Sequence, residues 1–152
     1  MHKKIKISIL IPVFNEQDSL LTLYNQIFKN INKKYEYELI FINDGSTDLS
    51  KEYILDLIKK NKHVKLIDFY RNEGKSTALN EGFKLLSGDI VITLDADLQD
   101  DPDEIDRFIA KINEGNGMVS GWKKNRLDPF SKTIPSKIFN YILRTISRIN
   151  IH

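Results

Sequence analysis

Apolar residues run almost unbroken through 4–14, 37–43, 64–70 and 89–96. Between these runs they recur at helical spacing, over 19–31, 49–61 and 77–87. Continuous apolar runs of this length mark strands buried on both faces, and one-sided spacing marks the helices that cover them. The alternation therefore predicts an α/β fold: a mostly parallel sheet flanked by helices, with right-handed crossovers. A short fifth strand is predicted at 118–122, MVSGW. In such sheets ligands bind beyond the carboxyl ends of the strands. Asn15-Glu16, Asn43-Asp44, Arg71-Asn72 and Asp95-Ala96-Asp97 are thereby expected on one rim.

The length, 152 residues, suits one domain, and the 41% hydrophobic and 29% charged content is that of an ordinary globular chain. A net charge of +2 makes no case for nucleic acid. With no cysteine, disulfides and thiolate metal sites are excluded. The histidines, His2, His63 and His152, are scattered and suggest no metal cluster. Lys3, Lys4 and Lys6 precede the first apolar run, but Pro12 and Asn15-Glu16 interrupt it, so it reads as a strand and not as a leader. No apolar run approaches the ~20 residues that cross a bilayer.

Residues 92–105, ITLDADLQDDPDEI, crowd carboxylates after the fourth strand. Part of this cluster reads as a helix start: Asp101 as N-cap, Pro102 at the first position, Glu104 closing a capping box, and Asp103 and Glu104 facing the positive helix end. That helix continues through Ile105, Phe108, Ile109 and Ile112 to Gly115. Asp100 has no assignment. Asp95 and Asp97 follow a strand and not a cap, and across an extended D-A-D both side chains point to one side. Two such carboxylates suit a hard divalent cation, Mg²⁺ or Mn²⁺, with Gln99 adding an amide oxygen. A solvated surface loop is the alternative.

Four segments then occur in register: IPVFNE (11–16), INDGSTD (42–48), RNEGKSTALNEGF (71–83) and LDADLQDDPDEI (94–105). Together they resemble the inverting family 2 glycosyltransferases, whose GT-A fold is a Rossmann-like nucleotide-sugar-binding sheet. Asp97-Leu98-Gln99-Asp100 and the basic stretch 121–143 are similar to the polyprenyl-phosphate branch, which includes dolichol-phosphate mannosyltransferase and bactoprenol glucosyltransferases. The chain departs from that branch at Asn43, Asp101 and Lys123, where aspartate, proline and arginine are usual. The family's catalytic domain also extends beyond the length of this chain. The resemblance thus implies a single domain over 1–152 that is an N-terminal portion, with a nucleotide-sugar half over 1–100 and the start of an acceptor half over 101–152.

The resemblance implies a role for each matched residue. Pro12, Phe14 and Glu16 would border base and ribose, Asp44 would accept from the ring edge of uracil or guanine, and Asn72 and Lys75 would approach the phosphates. Asp95, Asp97 and Gln99 would hold the cation on the diphosphate. Lys123, Arg126, Lys132, Ser136 and Lys137 would seat the acceptor phosphate, Arg126 first among them because a guanidinium binds phosphate through two parallel bonds. A lipid phosphate is already ionised and attacks without a general base. The expected activity is transfer of a sugar from a UDP- or GDP-linked donor to a polyprenyl phosphate, with inversion, at the cytoplasmic face of the membrane. Residues 134–149 form a basic amphipathic pattern that suits a membrane surface or packing on the rest of the fold.

Other readings stay open at this level. Phe14 suits core packing, Asp44 a turn before Gly45, and Lys75 and the basic stretch a solvated face. A shortened chain that binds nucleotide without turnover is the alternative function. A phosphoacceptor receiver domain would need an acidic pair at the end of the first strand, where this chain has Pro12-Val13-Phe14-Asn15-Glu16.

Overall fold

The computed structural model describes residues 5–31 and 33–121. The chain divides into two compact units, Met1–Val119 and Ser120–His152, and the architecture below is that of the first. Four strands, β1 (Lys6–Val13), β2 (Glu36–Asn43), β3 (Val64–Asp68) and β4 (Ile90–Thr93), form one parallel sheet in the order β3-β2-β1-β4. Between them lie α1 (Gln17–Ile31), α2 (Ser50–Lys60) and α3 (Lys75–Phe83). After β4 a single 3-10 turn, Pro102–Glu104, leads into α4 (Ile105–Asn113). The expected parallel α/β architecture is what forms.

β1 is one of the two inner strands, and its isoleucines explain why. Ile7, Ile9 and Ile11 face a core completed by Leu20, Leu23 and Ile27 of α1, while Leu10 faces the opposite side with Ile40 and Ile42. Both sides of β1 are shielded from water, as an unbroken apolar run requires. α3 covers the second side through Ala78 and Gly82. A Cβ on Gly82 would stand 3.1 Å from Ile42 Cδ1 and 3.2 Å from Leu10 Cδ2, so the absence of a side chain sets how closely the helix lies on the sheet.

Several boundaries differ from expectation. α3 begins at Lys75 and ends at Phe83, where the pattern suggested 77–87. The chain leaves the helix there because Leu86 packs on the Leu10–Ile40 side and Ser87 satisfies a buried carboxylate. Glu38 Oε1 accepts from Ser8 Oγ at 2.5 Å, from the Ser87 N–H at 2.7 Å and from Ser87 Oγ at 2.8 Å, while Oε2 accepts from Lys65 Nζ at 2.7 Å. Burial pushes the Glu38 carboxyl up, but these bonds from Lys65, Ser8 and Ser87 outweigh it and hold its pKa at about 2.

β4 stops at Thr93, not at Ala96: its ladder with β1 runs from Ile7–Ile90 to Leu10–Thr93, although β1 itself continues to Val13. The predicted fifth strand is absent from 118–121: Met118 is 86% exposed and pairs with no strand among the described residues. Trp122 and the basic amphipathic pattern at 134–149 lie outside the described residues.

The Asp101 reading holds in part. Its side chain accepts the Asp103 N–H at 2.9 Å with Pro102 at the first position, but it caps a 3-10 turn. Glu104 turns forward to Arg107 at 3.0 Å instead of back to the cap, so no capping box closes. Asp103 and Asp106 act as fasteners to α1 and the loop after it: Asn30 Nδ2 donates to Asp103 at 2.7 Å, and Tyr35 Oη donates to Asp106 at 2.8 Å.

Candidate functional site

The carboxyl ends of the four strands surround a cleft of about 330 Å³. Pro12, Val13, Phe14 and Glu16 line it from the end of β1, Asp44 from β2, Asn72, Gly74 and Lys75 from the β3–α3 loop, and Asp95, Ala96 and Asp97 from beyond β4. Every residue expected to meet the nucleotide sugar, Pro12, Phe14, Glu16, Asp44, Asn72, Lys75 and Asp95, is on this lining. Lys123, Arg126, Lys132, Ser136 and Lys137 lie outside the described residues. A second cleft, about 440 Å³, opens at the amino ends of the strands near Lys6, Tyr37 and His63. It is larger, but it sits away from the rim where parallel sheets bind ligands.

Each wall of the cleft is held by polar contacts between loops. Asn15 adopts φ +56°, a left-handed conformation that asparagine tolerates better than most residues. Its Oδ1 accepts the Thr47 N–H at 2.8 Å, and its own N–H donates to Ser46 Oγ at 3.0 Å. The next N–H groups, of Glu16 and Gln17, donate to Ser50 Oγ at 2.9 Å and Asp48 Oδ2 at 3.0 Å. The β1–α1 and β2–α2 loops are thus one hydrogen-bonded unit.

Asp44 fastens the next wall. Its carboxylate is buried and accepts the N–H of Glu73 at 2.7 Å through one oxygen and of Gly74 at 3.0 Å through the other. Gly45, at φ +69°, brings this turn against the same loop: a Cβ there would stand 2.4 Å from the Arg71 carbonyl carbon. Asn43, where the similar branch often has aspartate, donates from Nδ2 to Asp68 at 2.8 Å and accepts the Ser46 N–H at 3.2 Å. An aspartate at 43 would face Asp68 charge to charge, so the amide is matched to its neighbour.

The D-x-D segment is not extended. Asp95 lies just past the strand and Ala96-Asp97 turn, with Leu98 at φ +62° closing the turn. Asp97 Oδ1 accepts the Gln99 backbone N–H at 3.0 Å. Gln99 is not part of the lining. Asp100, unassigned from sequence, accepts the Asp95 backbone N–H at 2.8 Å. Its signal was only the spacing to Asp95, which means nothing until the turn is known. The ammonium of Lys75 pairs with Asp95 Oδ1, so a positive charge does sit in the acidic cluster.

Among the described residues no group of three or more His, Asp or Glu forms a complete cage. Asp95 and Asp97 offer hard oxygen donors on the cleft wall, and a cationic ammonium already rests on one of them. Magnesium-type ions typically take one or two carboxylates and complete their shell with substrate phosphates and water. The donor set fits a metal of that kind arriving with a phosphate ligand.

The family model for glycosyl transferase family 2 matches residues 8–151. The chain belongs to glycosyl transferase family 2. The sheet and its flanking helices are the GT-A fold of that family, shared with solved structures of low identity. A mannosyltransferase from Pyrobaculum calidifontis, in complex with GDP-Man and Mn²⁺, aligns with a TM-score of 0.57 at 20% identity over 63% of this chain and 28% of that one. TarS from S. aureus, residues 1–349 with UDP, aligns at 0.62 and 22% over 78% and 38%. Glucosyl-3-phosphoglycerate synthase from Mycobacterium tuberculosis, with uridine diphosphate, aligns at 0.71 and 19% over 95% and 51%. The chain therefore spans about half or less of the length of these solved structures.

Proposed function

We propose that this family 2 chain binds a UDP- or GDP-linked sugar in the rim cleft and transfers the sugar, with inversion, to a polyprenyl phosphate at the inner face of the membrane. The observation that carries the donor half is the convergence of Pro12, Phe14, Glu16, Asp44, Asn72, Lys75, Asp95 and Asp97 on one cleft from four separate strand ends. The relatives with GDP-Man and with UDP support a nucleotide-sugar ligand. The acceptor half rests on the Asp97-Leu98-Gln99-Asp100 segment and the basic stretch 121–143. The synthase that acts on 3-phosphoglycerate is a reminder that acceptors vary within the fold.

In this reading Phe14, 46% exposed at the cleft mouth, offers a ring face for the base. Glu16 Oε2 already accepts from Ser19 Oγ at 2.8 Å, which fixes the carboxylate for a ribose hydroxyl. Asp44 uses its two bonds to hold the Glu73–Gly74 loop and keeps lone pairs for a ring N–H. Lys75 faces the diphosphate. Asp95 and Asp97 are the residues on the lining that would hold Mg²⁺ or Mn²⁺, and Gln99, off that lining, is set aside. A cation bound there supplies Lewis-acid stabilisation of the leaving diphosphate. Lys123, Arg126, Lys132, Ser136 and Lys137 are the residues that would seat the acceptor phosphate. Orientation is the larger part of their contribution, since that phosphate is already an ionised nucleophile.

The test is turnover of UDP-glucose and GDP-mannose with Mn²⁺, offering a polyprenyl phosphate and 3-phosphoglycerate as separate acceptors. Glycolipid formation is the expected result. Transfer to 3-phosphoglycerate alone would replace the lipid acceptor, and nucleotide binding with no transfer would leave a binding module. No nucleotide binding at all would remove the reading.

A further inference from the structure

Asn43 and Asp68 face each other across β2 and β3 as the last register pair of that ladder. Asn43 is buried, and its side-chain amide has two different partners: Nδ2 donates to Asp68 Oδ1 at 2.8 Å, and Oδ1 accepts the Ser46 N–H at 3.2 Å. Rotation about one bond would exchange the donor and acceptor ends of that amide. Asp68 decides which way it points, because an ionised carboxylate only accepts. Burial pushes the Asp68 carboxyl up, but bonds from Lys51 and Asn43 outweigh it and keep its pKa below the ordinary value, so it is ionised at neutral pH. Lys51 stands behind it, with Nζ 2.7 Å from Asp68 Oδ2. That lysine is in the first turn of α2, against the helix dipole, and Asp68 offsets its charge.

The contacts continue toward the cleft. Ser46, whose N–H goes to the Asn43 amide, accepts the Asn15 N–H on its own Oγ at 3.0 Å. Asp44, the next residue after Asn43, is on the cleft lining, whereas Lys51, Asp68 and Asn43 are not. We infer that Asp68 is a positioning residue of the nucleotide site: it orients the Asn43 amide, and through it the Asp44–Ser46 turn beside the ligand. The inference rests on the nucleotide-sugar reading of the cleft. The pairing carries the effect, so one of positions 43 and 68 must be an amide and the other a carboxylate. Two carboxylates would repel each other across the ladder. Two amides would leave Lys51 without its counter-charge and free either amide to turn over. Exchanging the two keeps every contact. With Asn43→Asp and Asp68→Asn together, the amide at 68 donates to the carboxylate at 43, which still accepts the Ser46 N–H, and the amide oxygen at 68 accepts from Lys51.

Calorimetric titration of UDP and GDP into the full chain in Mn²⁺, with no acceptor present, tests this without turnover, beside urea denaturation of the same proteins. Asn43→Asp should weaken nucleotide binding about five- to fiftyfold, the scale of coupling between contacting residues. Asp68→Asn alone should weaken it about three- to tenfold, since its oxygen can still accept from Asn43. The two substitutions together should return the affinity to within about twofold of wild type, although each alone lowers it. A residue that served stability alone would move the urea midpoint and leave the affinity of the folded chain unchanged. Wild-type affinity in both single variants, or a double variant no tighter than Asn43→Asp, overturns the inference while the functional reading survives. Should Asn43→Asp fail to fold, the double variant must still bind more tightly than Asp68→Asn, and equal or weaker binding overturns the inference. A wild-type chain that binds neither UDP nor GDP fails both.

Discussion

The Asp95 backbone N–H donates to Asp100 Oδ2 at 2.8 Å, so a residue outside the D-x-D ties down its first member. Asp100→Ala should release that turn. Mn²⁺-dependent nucleotide binding should weaken by about ten- to a hundredfold, since a hydrogen bond to a charged acceptor contributes ~1.5–3 kcal/mol. Asp100→Asn retains an acceptor oxygen and should keep most of the affinity. Calorimetric titration of UDP and GDP in Mn²⁺ reads both. Unchanged affinity in Asp100→Ala would confine the residue to stability.

Asp44 shows how a residue can be found for one reason and explained by another. The sequence placed it at the ligand rim as a base reader. The structure adds that its buried carboxylate receives two backbone N–H groups of the neighbouring loop. Asp44→Ala would orphan both donors and should cost roughly 2–4 kcal/mol in urea denaturation. A residue that only touched the base would leave stability unchanged.

The acidic cluster divides by role, and Asp101 lies on the stability side. Its side chain caps the Pro102–Glu104 turn through the Asp103 N–H. Asp101→Ala should cost about 0.5–2 kcal/mol, as lost N-caps do, with nucleotide affinity unchanged. Thermal denaturation with and without UDP separates the two effects. Lost affinity at constant melting temperature would move Asp101 into the site.

Much of this was legible before any coordinates. β1, β2, α1 and α2 are long and strongly patterned, and their runs of isoleucine and leucine leave one choice of element. The rim followed from the topology alone, because strand ends in a parallel sheet share an edge. The shorter pieces were not legible. β4 ends at Thr93 although β1 continues to Val13, a boundary that no run of apolar residues marks. The helix after Lys75 ends early because Ser87 is needed at Glu38. Asn15, Ser46, Thr47 and Ser50 join two loops through contacts of high sequence separation, and no local pattern encodes such bonds. The D-x-D looked extended because its residues continue an apolar run, whereas the left-handed Leu98 turns it.

Acid should reach the fold through Glu38. Its folded pKa, about 2, lies below the ordinary carboxylate value of 4.5. A depressed folded pKa contributes stability that is complete above the unfolded value and is lost as pH falls toward the folded one. Stability should therefore drop most steeply between about pH 4.5 and pH 2, by roughly 2–3 kcal/mol from this group. Glu38→Gln should be less stable at pH 7 and flatter across that window. Urea midpoints measured from pH 2 to 7 give the comparison, and a parallel shift of both curves would point to other carboxylates.

The strand order β3-β2-β1-β4 also dictates when the sheet can be finished. β1 is made before the other three strands of this sheet, yet one of its edges is filled only by β4, with Ile7 meeting Ile90. β2 and β3 can join β1 early, through shorter loops. The other edge of β1 waits, apolar and unpaired, until β2, β3 and the helices between them have followed. Pairings of such long separation slow folding, and exposed edges in the interval invite association with other chains. The inner position that protects β1 in the native protein leaves it the most vulnerable strand in the nascent chain.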